Sequence, residues 1–346
     1  MGRWLGRALI TAVVAIAAIA VAGAHYFTSV PGVSYQGTLP PSTDAEKATA
    51  ARMLGHLRAI GGKPHNIDHY DELEKSARYI EDQLKVLGYQ PVPQVYEVDD
   101  RQVRNIEVVI EPAAANASTG TIVLGAHYDS CEDAPGANDN GSGVAAVIEL
   151  ARLLADLRNK TPARIRLVLF VNEEPPYFQE PEMGSLHYAR LLAERREPVI
   201  GMLSLETIGW FRDDPGSQLY PFPLGLLYPD KGNFVAFVAT TSSRDLMQAL
   251  TGSFRKHTQF PSVGGVAPGF VPGIDWSDHW AFEEFGYPAV MVTDTAFFRY
   301  PHYHKTTDTP DKVDVDKLAR ITHGIERVVR EMAAPGWPTA AVSPGR

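Results

Sequence analysis

The stretch Thr121-Ile122-Val123-Leu124-Gly125-Ala126-His127-Tyr128-Asp129 decides how this chain folds. A short apolar run that ends in an imidazole and a carboxylate reads as a buried strand presenting polar groups at its carboxyl end. The pattern recurs where Leu167-Val168-Leu169-Phe170-Val171 runs into Asn172-Glu173-Glu174, and where Met202-Leu203-Ser204-Leu205 meets Glu206. Polar sites beyond the carboxyl ends of strands are the default arrangement in open α/β sheets. Three separate strands thus bring acids or an imidazole to one edge.

Around these three strands, residues 92–98, 103–110 and 289–293 also read as strands, while 141–157, 183–194, 242–257 and 313–332 read as helices. Thr43-Asp44-Ala45-Glu46 is a capping box that opens a helix to about Ile60, stopped by Gly61-Gly62, and a second helix runs from about Asp68 to Leu87. Alternating strands and helices predict an α/β three-layer sandwich with a central mixed, largely parallel β-sheet flanked by helices. The adjacent early strands predict an antiparallel edge.

The N-terminus obeys another logic. Arg3 and Arg7 precede Ala8 to Ala24, an uncharged run whose only polar side chain is Thr11. Ala22-Gly23-Ala24 suits signal cleavage and the length of the run suits an uncleaved anchor; in both cases the preceding positive charges place the remainder of the chain outside the cytoplasm. The expected organisation is therefore residues 1–27 as membrane anchor or signal, 28–42 as linker, 43–335 as the folded domain and 336–346 as a flexible tail.

The chain has 346 residues, 45% hydrophobic and 21% charged, enough for a full core. A formal net charge of −9 leaves no basic footprint for nucleic acid. Cys131 is the only cysteine, which excludes an intrachain disulfide and a cage of thiolates around a metal, and it reads as a small structural residue.

His127, Asp129, Asp139, Glu173, Glu174, Glu206 and His304 are hard and borderline donors of the kind that bind divalent zinc-like ions. His127 and Asp129, two apart on extended backbone, share a face, so the Asp129 carboxylate can hold the imidazole N–H. Asp139 sits in Gly136-Ala137-Asn138-Asp139-Asn140-Gly141-Ser142-Gly143, small and polar residues entering a helix, where a carboxylate can approach two ions. Gly141-x-Gly143-x-x-Ala146 imitates a dinucleotide fingerprint, but no strand immediately precedes it. Adjacent Glu173 and Glu174 point opposite ways on extended backbone, which would let one bind metal while the other faces a water. Between His302 and His304 the residues alone do not choose.

Gly125-Ala126-His127-Tyr128-Asp129-Ser130, Pro135 to Ala145, Asn172-Glu173-Glu174, Ser277-Asp278-His279 and Tyr303-His304 with Asp308-Thr309 together resemble the M28 family of zinc exopeptidases. That resemblance covers roughly residues 50 to 330. It implies the zinc exopeptidase fold and two Zn2+ per chain, one held by His127, Asp139 and Glu206, the other by Asp139, Glu174 and His304. It further implies Asp129 orienting His127, Glu173 as general base on a zinc-activated water, a cis peptide after Asp139, and His304 in preference to His302. The expected substrate is a peptide trimmed at its N-terminus.

Two features depart from the family's common pattern. Glu206 stands where many aminopeptidases have Asp, which keeps carboxypeptidase or dipeptidase activity in play. Residues 175–183 lengthen the loop before Gly184-Ser185. Trp210, Phe211, Trp276, Phe297 and Phe298 are candidates for an apolar specificity pocket, with His279 and Tyr303 near the substrate. The competing readings are a glutaminyl cyclase-like acyltransferase with one zinc and a non-catalytic binding ectodomain. A complete donor set argues against both.

Overall fold

Residues 2–113, 119–338 and 342 are described by the structure, a computed structural model. In chain order the elements are α1 (Gly2–Thr28), α2 (Asp44–Ile60), α3 (Tyr70–Val86), β1 (Val92–Val98), β2 (Arg101–Ile110), β3 (Thr121–His127), α4 (Gly141–Leu153), β4 (Arg164–Phe170), α5 (Gly184–Glu194), β5 (Val199–Glu206), β6 (Val235–Thr240), α6 (Arg244–His257), β7 (Ser262–Ala267), α7 (His279–Glu283), β8 (Ala289–Thr293), α8 (Ala296–Arg299) and α9 (Val315–Met332). The strands form one sheet in the order β1-β2-β4-β3-β5-β8-β6-β7. Its centre, β4-β3-β5-β8, is parallel, and β1-β2-β4 is antiparallel, as the early strands predict.

The sheet is buried on both faces because its strands alternate between two cores. Ile122, Leu124 and Ala126 of β3, with Leu167 and Leu169 of β4, face a large core shared with α2, α3, α4, α6 and α9. Val123, Val168, Phe170 and Met202 face a smaller core with Tyr188 and Leu192 of α5 and Phe282 of α7. The period-2 alternation of side chains thus produces the three expected layers. Parallel pairing aligns the carboxyl ends of β3, β4, β5 and β8.

Two strands escape the sequence reading. β6 pairs antiparallel with β8, and β7 pairs parallel with β6 at the sheet edge. β7 carries Gly264-Gly265, and glycine lowers strand propensity. Residues 28–42 contain no strand and, past the last residue of α1, no helix, yet they are held rather than loose. Arg255 donates to the carbonyls of Pro31 and Gly32, the Ser262 amide to Ser34 Oγ, and Arg320 to Ser42 Oγ. Of the expected tail, 339–341 and 343–346 lie outside the described residues, and Val342 pairs with Val199 in an isolated antiparallel bridge.

The capping box forms as read: Glu46 N–H donates to Thr43 Oγ1, and Thr43 N–H to Glu46. α2 is tied to α4 through Glu149, which takes bonds from Arg52 Nε and Nη2 at 2.9 Å and from Arg152 Nε at 2.7 Å, with His56 at 3.7 Å. Burial alone would raise this carboxyl, but His56, Arg52 and Arg152 bring it down to about 2. A folded value below the unfolded one contributes stability above pH 4.5 that is lost as pH falls toward 2. Glu149→Gln is expected to cost about 2–3 kcal/mol at pH 7, since both arginines stay partly hydrated. Urea midpoints of wild type and variant should converge between pH 4.5 and 2; a gap independent of pH would refute this account.

Candidate metal centre

Each donor reaches the site from a strand end or an adjoining loop. β3 ends on His127 and β5 on Glu206. Past β4 the chain turns at Asn172, whose φ of 59° is left-handed, a conformation asparagine tolerates better than most residues. The turn is held by Asp129, whose Oδ1 and Oδ2 accept the amides of Glu173 and Glu174, each at 3.1 Å. His304 (φ 54°) and the β-branched Thr207 (φ 41°) are also left-handed. Strained backbone thus gathers around the donors, as is common at functional sites.

The loop carrying Asp139 is fixed from a distance. Asp308 accepts the amides of Asn138 and Asp139 at 2.9 and 3.1 Å, and the Tyr300 hydroxyl at 2.5 Å. Asp294 accepts from Asn138 Nδ2 and from the amides of Gly209 and Trp210. The Asp139–Asn140 peptide is cis. Asn140 caps α4 through the Gly143 amide and also reaches Leu205 O and the Thr207 amide, joining α4 to the end of β5. This approach explains Gly143, where a Cβ would lie 2.3 Å from Leu205 O. The fingerprint-like glycines serve helix–strand proximity instead of a nucleotide.

The two oxygens of Asp139 face different neighbours. Oδ1 lies 3.4 Å from His127 Nε2, which is itself 3.3 Å from Glu206 Oε2. Oδ2 lies 3.1 Å from His304 Nε2, which is 3.2 Å from Glu174 Oε2. Glu173 Oε2 stands 3.7 Å from His127 Nε2. Glu206 Oε2 is further held by the Ser277 hydroxyl at 2.9 Å.

These residues fit divalent cations on three counts. His127, Asp139 and Glu206 offer donor atoms within 4.8 Å of one another. His127 Nε2, Asp139 Oδ2 and Glu174 Oε1 are buried and have no hydrogen-bond partner among the described residues, although buried polar atoms are normally satisfied. Charge points the same way. Burial, together with the Asp139 charge, pushes Glu174 up to about 7; burial does the same to Glu206 and carries Glu173 well above the carboxylate range. Burial also acts to raise Asp139, but His127 and His304 hold it below its usual range. Four carboxylates crowd two imidazoles, and among the described residues no lysine or arginine pairs with them. A bound cation relieves that repulsion.

The structure revises several expectations. The Asp129 carboxylate is 3.6 Å from His127 Nδ1, whereas the Asp129 main-chain carbonyl is at 3.1 Å. The carbonyl is the closer acceptor because the carboxylate is engaged by the two glutamate amides. His279 is fully buried, its Nε2 on Ile274 O at 2.9 Å, so it braces a loop instead of facing open space. His302 Nδ1 meets Thr307 Oγ1 at 2.8 Å, away from the donors. Cys131 comes near Glu174 and His304, and burial raises its thiol. Asn140, Asp294 and Ser277 are positioning residues that sequence reasoning did not assign. Only the N-cap placement of Asn140 offered a signal.

An apolar cavity opens beside Glu206 and Tyr303. Trp276, Phe297 and Phe298 line it, with Met291 from β8 and Val266 from β7. Trp210 instead packs on Tyr300 and His302, and Phe211 on Phe260. Tyr303 stacks on His304 with centroids 3.8 Å apart. A second, acidic cavity borders Glu174 and is lined by Asp68, Asp99 and Glu132. Neither cavity has a lysine or arginine among its described lining residues.

Comparison with known proteins places this geometry in a lineage. The profile of Peptidase family M28 matches residues 105–329. The chain is 37% identical over 271 residues to Uncharacterized protein YfbL of Escherichia coli (strain K12), an alignment spanning 76% of this chain and 81% of that one. It is 30% identical over 225 residues to Aminopeptidase YwaD of Bacillus subtilis (strain 168), spanning 62% of this chain and 42% of that protein. It spans about half the length of two other curated aminopeptidase relatives. Among solved structures, the aminopeptidase from Aneurinibacillus sp. strain AM-1 superposes with a TM-score of 0.63 at 19% identity, covering 87% of this chain and 96% of that one. An Acidobacteriales bacterium glutaminyl cyclase gives 0.61 at 18%, covering 87% and 99%. These structural likenesses show the shared fold.

Proposed function

The chain belongs to peptidase family M28 and is a metallo-exopeptidase; we propose that it is an aminopeptidase working with two zinc ions on peptides that begin with an apolar residue. The observation that carries this reading is the division of Asp139, one oxygen toward His127 and Glu206, the other toward Glu174 and His304. Those two sets would each hold one ion, with Asp139 common to both. Zinc bound there supplies Lewis-acid polarisation of the scissile carbonyl and makes a water more acidic.

The remaining work falls to the protein. Glu173, close to both sets yet duplicated by neither, takes the proton of the attacking water on its carboxylate and returns it to the leaving amine. Asp129 fixes the Glu173 backbone through its amide, so the carboxylate is aimed before substrate arrives. The Tyr303 hydroxyl, at the cavity edge beside His304, would donate to the carbonyl oxygen as negative charge develops. The apolar cavity would seat the first side chain. Neither cavity offers a chain carboxylate a lysine or arginine among its described lining residues, whereas Glu206 and Glu174 at their edges favour a protonated amine, which supports the N-terminus as the trimmed end.

Residues 10–28 of α1 are long and apolar enough to cross a membrane. With Arg3 and Arg7 before them, they would anchor the catalytic domain on the extracytoplasmic side.

Free-amine, N-acetylated and N-terminal glutaminyl peptides, each with and without chelator, test the reading. The free-amine peptide with leucine first should be cleaved, the acetylated one spared, and activity lost to chelator should return with about two equivalents of zinc. Removal of residues from the carboxyl end of the acetylated peptide would overturn it. So would cyclisation of the glutaminyl peptide as the main reaction.

A further inference from the structure

Residues 219–229 read Leu-Tyr-Pro-Phe-Pro-Leu-Gly-Leu-Leu-Tyr-Pro, with no charge in the stretch. The loop bares its apolar tips: Leu219 is 65% exposed, Phe222 89% and Leu226 78%. Phe270, 87% exposed, belongs to the loop after β7 that borders the same cavity. Single exposed apolar residues are ordinary, but several gathered on neighbouring loops mark a surface made to contact something apolar.

The position of α1 says what that something is. A Cβ on Gly265 of β7 would meet the Tyr228 hydroxyl at 2.1 Å and the Phe27 carbonyl at 3.5 Å, so Tyr228 and the last turn of α1 flank one glycine. The Tyr228 hydroxyl donates to Gly264 O at 3.1 Å, and Tyr220 stacks on Tyr228 with centroids 5.7 Å apart. The uncharged loop therefore begins and ends beside the point where α1 enters the domain.

That entry point is rigid. The Arg244 guanidinium lies over the Tyr26 ring at 4.5 Å, and its Nε donates to Tyr26 O at 3.0 Å. Gln248 Nε2 donates to Ser29 O at 2.8 Å, and Val30 packs against Gly264. A domain on a slack tether would present any face to the bilayer, but one clamped to its helix presents one.

Building on the reading of α1 as a membrane anchor, we infer that the loop 219–227, with Phe270, rests in the head-group region of the bilayer that α1 crosses. Tyr220 within it is of the residue type enriched at that depth. Its irregular backbone, with a short 3-10 turn at Leu224–Leu226, limits it to the interface, because lipid-exposed irregular loops do not occur within the hydrocarbon. The apolar cavity then opens at the membrane surface.

The test uses the full chain in liposomes of phosphatidylcholine and phosphatidylglycerol, with a polarity-sensitive fluorophore on one introduced cysteine at a time and nitroxide-bearing lipids as quencher. Val14→Cys reports α1, Asp82→Cys on the opposite edge of the domain reports water, and Phe222→Cys and Leu226→Cys report the loop. The loop positions should be quenched about threefold more than position 82, with blue-shifted emission. Quenching at 14 with the loop positions behaving like 82 would overturn the inference while leaving the anchor intact. No quenching at 14 would remove the anchor reading and the inference with it.

Discussion

Glu173→Gln is expected to lower kcat by about 10³-fold, roughly 4 kcal/mol on the barrier, while the zinc content of the purified protein stays unchanged. Glutamine keeps the volume of the side chain and its place in the buried site, and the backbone amide of residue 173 still meets Asp129 Oδ1. What it loses is the ability to accept a proton. The metal measurement separates two roles, because Glu173 also lies 3.7 Å from His127 Nε2 and shares a possible donor group with His127 and Glu174. Loss of an ion together with activity would make Glu173 a ligand. A fall of less than tenfold would assign the proton to another group.

Asp139→Ala should have the broader effect. On the proposed reading its carboxylate is common to both sets, so its removal would weaken both ions at once. Activity should drop by about 10⁴-fold or more and the zinc content to below one per chain. His304→Ala should instead strip one ion and leave the other. The loop is expected to keep its place in the alanine variant, because Asp308 grips main-chain amides of residues 138 and 139, which the substitution retains. Elemental analysis with circular dichroism checks both statements. A folded Asp139→Ala protein that keeps two tightly bound zinc ions would rule out Asp139 as the shared ligand.

Much of the fold was legible because burial imposes a period on the sequence. Ile122, Leu124 and Ala126 turn to one core and Val123 to the other, so β3 is recognisable from its own residues. β6 and β7 were not, since Gly264 and Gly265 carry no side chain to show a period. The donors were legible as residue types at strand ends, and His304 could be chosen over His302 only through the resemblance to M28 peptidases. The two-residue spacing suggested the local contact of the Asp129 carboxylate with His127, which lies at 3.6 Å, but not its bonds to amides 44 and 45 residues away. His279 looked available by composition, and burial withdrew it.

Residue order was enough for the kinds of donors, their delivery by three parallel strands, the apolar N-terminal run and the family. These rest on local spacing, where neighbouring residues share a backbone and geometry follows from period. The division of the Asp139 oxygens emerged only on folding, since its loop is held by Asp308 from 169 residues away. The same holds for the cavity beside Glu206 and for the uncharged loop beside the foot of α1. Each is a meeting of segments distant along the chain, fixed by packing rather than by anything written within one segment.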